Sequence, residues 1–216
     1  MKKILIVMAL VSLTTTSFAN EPLWKKLYFR ADGGVDFIQK TKNSDFKNSA
    51  VYGGGIGVAF NEMFRADLNF QRRNIHAGLR QTRSSILKKA DSDSVFLNGY
   101  FNLTDFEYMT PYLTAGVGYI SNGTYDTFVD SGNIRTFGYG MRSKGIAWNV
   151  GVGTTYALHE HLNLNFGYRF VNLGDFKFKN TGRKSIATNS NLNSSFNANS
   201  YNVKSHELTL GVIIKL

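Results

Sequence analysis

Residues 63–73, MFRADLNFQRR, set Phe64, Ala66, Leu68 and Phe70 on one side against Arg65, Asp67, Asn69 and Gln71 on the other. Strict period two predicts a strand with one apolar and one polar face. Seven further segments carry the same signature: residues 27–37, 50–60, 94–103, 111–120, 145–156, 162–170 and 207–216. In the first, Leu27, Phe29, Ala31, Val35 and Phe37 oppose Arg30, Asp32 and Asp36. In the last, Leu208, Leu210, Val212, Ile214 and Leu216 oppose Glu207, Thr209, Gly211 and Lys215. No segment of helical period competes with these eight.

Alternation alone leaves open which face looks inward. A soluble barrel would bury the phenylalanines, whereas a membrane barrel turns them to lipid and the charges to the lumen. Glycine decides the choice. On the second segment Gly53, Gly55 and Gly57 oppose Tyr52, Ile56 and Val58, and the fifth and sixth segments repeat this with Gly116, Gly118, Gly151 and Gly153. Facing water such glycines would only weaken a strand, while facing a lumen they leave room for long inward side chains. The interior of an eight-stranded barrel is just wide enough for side chains to fill, and buried charges there must pair. Arg30, Arg65, Arg169 and Lys215 against Asp32, Asp36, Asp67 and Glu207 give equal numbers of both signs, so an internal ion-pair network is expected.

The connections alternate in length. After the second, fourth and sixth strands they are brief (NEM, TDFEYMT and LHEH), and after the first, third, fifth and seventh they are long and polar. Short turns at one end and long loops at the other mark outer-membrane barrels. Each apolar face is long enough for a tilted strand to cross the hydrocarbon layer. Aromatic residues gather toward strand ends, among them Tyr28, Phe37, Tyr52, Phe60, Phe64, Phe70, Tyr119, Tyr156 and Phe170, as interfacial girdles require. The expected fold is all-β: an eight-stranded antiparallel transmembrane β-barrel with four long extracellular loops, three short periplasmic turns and both termini periplasmic.

Composition agrees. There is no cysteine and there are only 2 prolines, while glycine reaches 21 residues and aromatics 14%. The start, MKKILIVMALVSLTTTSFAN, has the basic residues, short apolar run and small-x-small site of a secretory signal, which puts cleavage after Ala19. This divides the chain into residues 1–19 as signal peptide and 20–216 as the barrel domain. No later apolar stretch is long enough for a transmembrane helix.

Several segments, namely LYFRADGGVDF, MFRADLNF, FLNGYFNLTDF, PYLTAGVGY, LNLNFGYRFVNLGD and SHELTLGVIIKL, resemble the small outer-membrane barrel surface proteins of Gram-negative bacteria, the opacity-protein-like group. More narrowly, they resemble the rickettsial barrel adhesins. The resemblance covers all eight strands and leaves out the loops, so it specifies fold far better than activity. It implies a cell-surface role linked to virulence, insertion by the outer-membrane assembly machinery, and no cofactor. One departure is the last residue: the family pattern usually ends in Phe, and Leu216 stands here, which implies weaker recognition by that machinery.

The charge lies in the long connections. Residues 38–49, 72–93, 121–144 and 172–205 carry +2, +4, +1 and +4, against +8 for the chain beyond Ala19. The candidate ligand-binding residues are Arg72, Arg73, Arg80, Arg83, Lys88 and Lys89 in the second loop. Lys177, Lys179, Arg183 and Lys184 in the fourth complete the set. Such cations suit the phosphates of lipopolysaccharide, or an acidic partner such as a host surface or serum protein or an acidic glycan. No nucleic-acid-binding fold accompanies the charge. No enzyme signature rises above background. His159 and His161 lack a third ligand nearby in sequence, and Ser205 and His206 are adjacent on a strand and must point to opposite faces. The expected function is an adhesin or host-interaction barrel working through its basic loops. A structural outer-membrane barrel and a small porin-like channel are the alternatives.

Overall fold

A computed structural model describes residues 22–39, 45–46, 48–81, 84–104, 106–125, 127–131, 134–139, 141–185, 191–195 and 199–216. The region read as a signal peptide lies outside them. A 3-10 turn, Leu23–Lys26, leads into β1 (Leu27–Ile38), β2 (Asp45–Phe46), β3 (Ser49–Ala59), β4 (Phe64–Gln81), β5 (Ser84–Asn102) and β6 (Met109–Thr124). There follow β7 (Thr127–Ser131), β8 (Ile134–Tyr139), β9 (Arg142–His159), β10 (Leu162–Ser185), β11 (Asn191–Ser195) and β12 (Asn199–Lys215).

Eight of these close the barrel in the order β12-β1-β3-β4-β5-β6-β9-β10, and pairing of β10 with β12 seals the ring. All eight contacts are antiparallel. Closure is what lipid demands, because an open edge would leave backbone N–H and C=O groups unpaired in hydrocarbon. No helix among the described residues is long and apolar enough to cross a membrane. The chain crosses as strands.

The faces fall as the alternation predicts. On β4, Phe64, Leu68 and Phe70 are about half exposed, while Asp67, Asn69 and Gln71 are buried. On β12, Leu208, Leu210 and Ile214 point out and Glu207 and Thr209 point in. Apolar side chains outside and polar side chains inside invert the arrangement of a soluble barrel. The short turns have local causes too. Asn61 Oδ1 accepts the backbone N–H groups of Met63 at 2.9 Å and Phe64 at 2.7 Å, folding NEM back on itself. Asn102 Nδ2 donates to the Glu62 carbonyl at 2.7 Å and ties that turn to the neighbouring strand.

The glycines do what the lumen requires. A Cβ at Gly57 would strike the Tyr28 ring, one at Gly118 the Phe96 ring, and one at Gly153 the Tyr112 ring. Each bare backbone position is the seat of an inward aromatic from a nearby strand. Tyr28 thereby leaves the girdle in which its position near a strand end had placed it. It is buried inside the barrel, because it shares the inward register of Arg30 and Asp32.

The long connections are less loop-like than expected. Beta pairing of β4 with β5 continues without a break to Gln81 opposite Ser84, so most of the second loop is a β-hairpin that prolongs the barrel wall. Beyond its barrel portion, β10 pairs with β8 on one side and β11 on the other, and β7 pairs with β8. The third and fourth connections therefore share one sheet.

Candidate functional site

Inside the barrel the polar side chains form two stacked clusters. In the lower one, nearer the short turns, the Arg30 guanidinium grips Asp32 with both its Nε and Nη2 at 2.7 Å. Its Nη1 reaches Asp67 at 2.8 Å and also bonds the Tyr100 hydroxyl. Asn98 Nδ2 donates to the other Asp67 oxygen at 2.8 Å, and Asn149 Nδ2 donates to Asn98 Oδ1 at 3.0 Å. Bidentate, charge-assisted contacts of this kind satisfy buried carboxylates that hydrocarbon walls deprive of water.

The upper cluster centres on Glu207. Arg73 donates to Glu207 Oε1 from Nε at 2.8 Å and Nη2 at 2.5 Å, and Arg169 donates to Oε2 at 2.6 Å. Arg73 further reaches Ser94 and Gln71, each at 2.8 Å, and its Nε lies 3.7 Å from Asp36. Arg73 was expected in the second loop as a ligand-binding cation, and the structure corrects this: it is 0% exposed, in the middle of the lumen. The inward set Arg65, Asp67, Asn69, Gln71 runs on by two residues to Arg73 because β4 continues unbroken. Lys215 is corrected in the opposite sense. It is exposed at the mouth near the short turns and joins no carboxylate among the described residues. The lumen keeps four cations and four anions, with Arg73 where Lys215 was expected.

Arg65 is also inside but is held differently. Its guanidinium lies over the Tyr100 and Tyr112 rings, 4.5 and 4.8 Å from their centroids, and donates to Thr155 Oγ1 at 3.3 Å. Above Glu207 the lumen turns apolar: Ile38, Ile75, Phe96, Ile120, Val171, Leu173 and Val203 pack together with Ala90 and Ala147. This layer went unpredicted: Ile38, Phe96 and Ile120 have apolar outward neighbours, which blurs the alternation, while Ile75, Leu173 and Val203 stand among polar residues in stretches read as loops.

At the far rim Asp91 gathers Arg142 at 3.4 Å and Arg72 at 3.9 Å, and Arg72 also approaches Asp93 at 3.7 Å. Arg72 is thus a rim residue at the root of the β4–β5 hairpin. Arg80, Lys88 and Lys89 lie further out on that hairpin, paired in register with Ser85, Ala77 and His76. Lys177, Lys179, Arg183 and Lys184 lie on the outer part of β10, where Lys184 is in register with Arg135 of β8. Arg83 lies outside the described residues. Ser205 points into the lumen and His206 out, where it meets Tyr168 Oη at 2.6 Å and Gln39 Nε2 at 2.8 Å. His159 and His161 occupy the short β9–β10 turn, and no group of three metal-ligating side chains occurs among the described residues.

An eight-stranded antiparallel barrel with an apolar wall outside and a filled, charge-balanced interior is a small outer-membrane β-barrel. The chain belongs to the outer membrane protein beta-barrel domain family, whose model matches residues 5–214. A Rickettsia bellii protein named as a candidate adhesin is 24% identical over 199 residues, covering 82% of this chain and 86% of its own. An uncharacterised Brucella abortus protein is 29% identical over 161 residues, covering 64% of this chain. The match takes in 56% of that Brucella relative, so the chain spans little more than half its length. Among solved structures, Neisserial surface protein A superposes with a TM-score of 0.58 at 18% identity, covering 88% of this chain and 97% of its own. OprG of Pseudomonas aeruginosa gives 0.52 at 15%, covering 89% and 97%. Both share the fold.

Proposed function

We propose that this outer-membrane barrel is a surface adhesin that holds acidic partners, a host surface or serum protein or an acidic glycan, on basic β structure projecting from one end. The observation that carries the reading is the placement of the charge. Arg80, Lys88 and Lys89 on the β4–β5 hairpin and Lys177, Lys179, Arg183 and Lys184 on β10 all lie beyond the rim, opposite the end that bears the short turns, the start of β1 and the end of β12. In this reading the long hairpins face outward from the cell and the short turns face the periplasm. The name of the rickettsial relative, which matches along most of both chains, supports the same direction.

The hairpin residues lie at the outer end of the β4–β5 pairing, beyond the rim, so they can be changed without touching the barrel wall below. Replacing Arg80, Arg83, Lys88 and Lys89 with Ser should weaken capture of a sulfated glycan or acidic serum protein by about tenfold, equivalent to about 1.4 kcal/mol. Wild-type capture should also fall as salt rises, since the contacts invoked are between opposite charges that salt screens. Undiminished capture by the fourfold variant, folded and heat-modifiable like the parent, would leave lipopolysaccharide packing as the use of these cations.

A further inference from the structure

The mouth at the short-turn end opens into a cavity of about 890 Å³ with no part in the reading above. Lys25, Lys26, Lys215 and Arg65 line it, against Glu62 as the one acidic side chain among its lining residues. Arg65 stands apart from the other lumen arginines. Arg30, Arg73 and Arg169 each grip a carboxylate, whereas Arg65 has no carboxylate partner among the described residues. It is 9% exposed, and its Nε–H has no hydrogen-bond partner among the described residues. The two tyrosine rings fix the guanidinium plane, and Thr155 takes only one of its N–H groups. A buried cation held flat by aromatic rings, with in-plane donors unspent, has the geometry that recognises a planar or tetrahedral oxyanion.

We infer that this cavity is an anion-binding site in which Arg65 receives a phosphate or carboxylate group, drawn in by Lys25, Lys26 and Lys215 at the entrance. The ordered 3-10 turn Leu23–Lys26 holds two of those lysines beside the opening, and Asn163, in the amide orientation that satisfies both its polar atoms, accepts from Lys215 Nζ at 3.3 Å. Neighbouring Asp67 does not compete for Arg65, since Arg30 and Asn98 already occupy it. The binding chemistry stands on its own; that the ligand is a periplasmic solute rests on the orientation proposed above.

The test is a titration of the refolded, nitrogen-15-labelled barrel in micelles, with the Arg65 Nε–H resonance as the readout and inorganic phosphate and acetate as separate probes. The expected result is a saturable shift of that resonance. Its midpoint should rise at least about tenfold in the K25S/K26S/K215S variant, which keeps Arg65 and the ion-paired lumen side chains, and the response of the cavity's backbone amides should vanish in Arg65→Gln. The stronger of the two probes identifies the acid group. An Arg65 resonance that neither probe moves, or binding that survives Arg65→Gln unchanged, overturns the proposal. Proteolysis of the short turns from outside intact cells would instead overturn the orientation and move the same site to the cell surface, so the two failures are distinguishable.

Discussion

Glu207→Gln is the sharpest perturbation of the lumen. The side chain is 0% exposed and accepts three hydrogen bonds from two arginines, at 2.8, 2.5 and 2.6 Å. The neutral amide keeps the shape, removes the charge and turns a donor toward one of the guanidinium groups. Arg73 would retain Asp36 at 3.7 Å, together with Ser94 and Gln71. Arg169 has no other acid within salt-bridge distance among the described residues and would be left buried without a hydrogen-bonded counterion. Removing one member of a buried pair costs about 3–5 kcal/mol, whereas replacing the whole cluster by apolar side chains of similar volume is often near neutral. Glu207→Gln should therefore lower the unfolding free energy by about 3–5 kcal/mol, and the quadruple variant D36L/R73M/R169M/E207L, which removes both signs of charge together, should recover much of that loss. The assay is equilibrium urea unfolding in lipid vesicles, followed by Trp24 and Trp148 fluorescence and by heat-modifiable gel mobility. Lys215→Met is the control, since that side chain is exposed, and should change stability by less than about 1 kcal/mol. A Glu207→Gln barrel within about 1 kcal/mol of the parent would refute the claim that this cluster holds the lumen together.

Other outcomes follow from the same geometry. Leu68→Arg, at an outward position on β4 about half exposed to lipid, should cost about 2–4 kcal/mol in vesicle unfolding if it lies near the bilayer midplane, and a neutral result would contradict the assignment of faces. Phe96→Ala, emptying the space above Gly118 in the apolar layer, should cost about 3–5 kcal/mol by the same assay. In planar bilayers the wild-type barrel should show no steady conductance, because ion-paired side chains and then apolar ones fill its cross-section; stepwise openings in purified samples would favour the channel reading.

How much of this was legible in the sequence depended on what each residue faces. In the wall, lipid on one side and packed polar groups on the other enforce period two, so the strands and the inward places of Arg30, Asp32, Asp67, Arg169 and Glu207 could be read directly. Arg73 was missed although its signal was present: the alternation from Arg65 through Gln71 carries on to Arg73 and Ile75, but its basic neighbour Arg72 made the region look like the start of a loop. Lys215 fits the period as well, yet it falls so near the end of β12 that it reaches the mouth and not the lumen. Beyond the rim neither face meets lipid. Strands there lose the apolar stripe that would announce them, so the β4–β5 hairpin and the outer β10 sheet read as polar loops. Arg65 was placed correctly in the lumen, but its lack of an acid partner depends on which carboxylates Arg30 and Arg73 claim, and spacing does not carry that information.

The apolar layer of Ile38, Ile75, Phe96, Ile120, Val171, Leu173 and Val203 has a consequence for the cell that carries the protein. A water column across the barrel would have to wet that layer, and greasy constrictions shed water. A barrel plugged in this way is expected to act as a rivet, not a pipe. Many copies of such a rivet in one membrane would then take up area without opening a path for solutes.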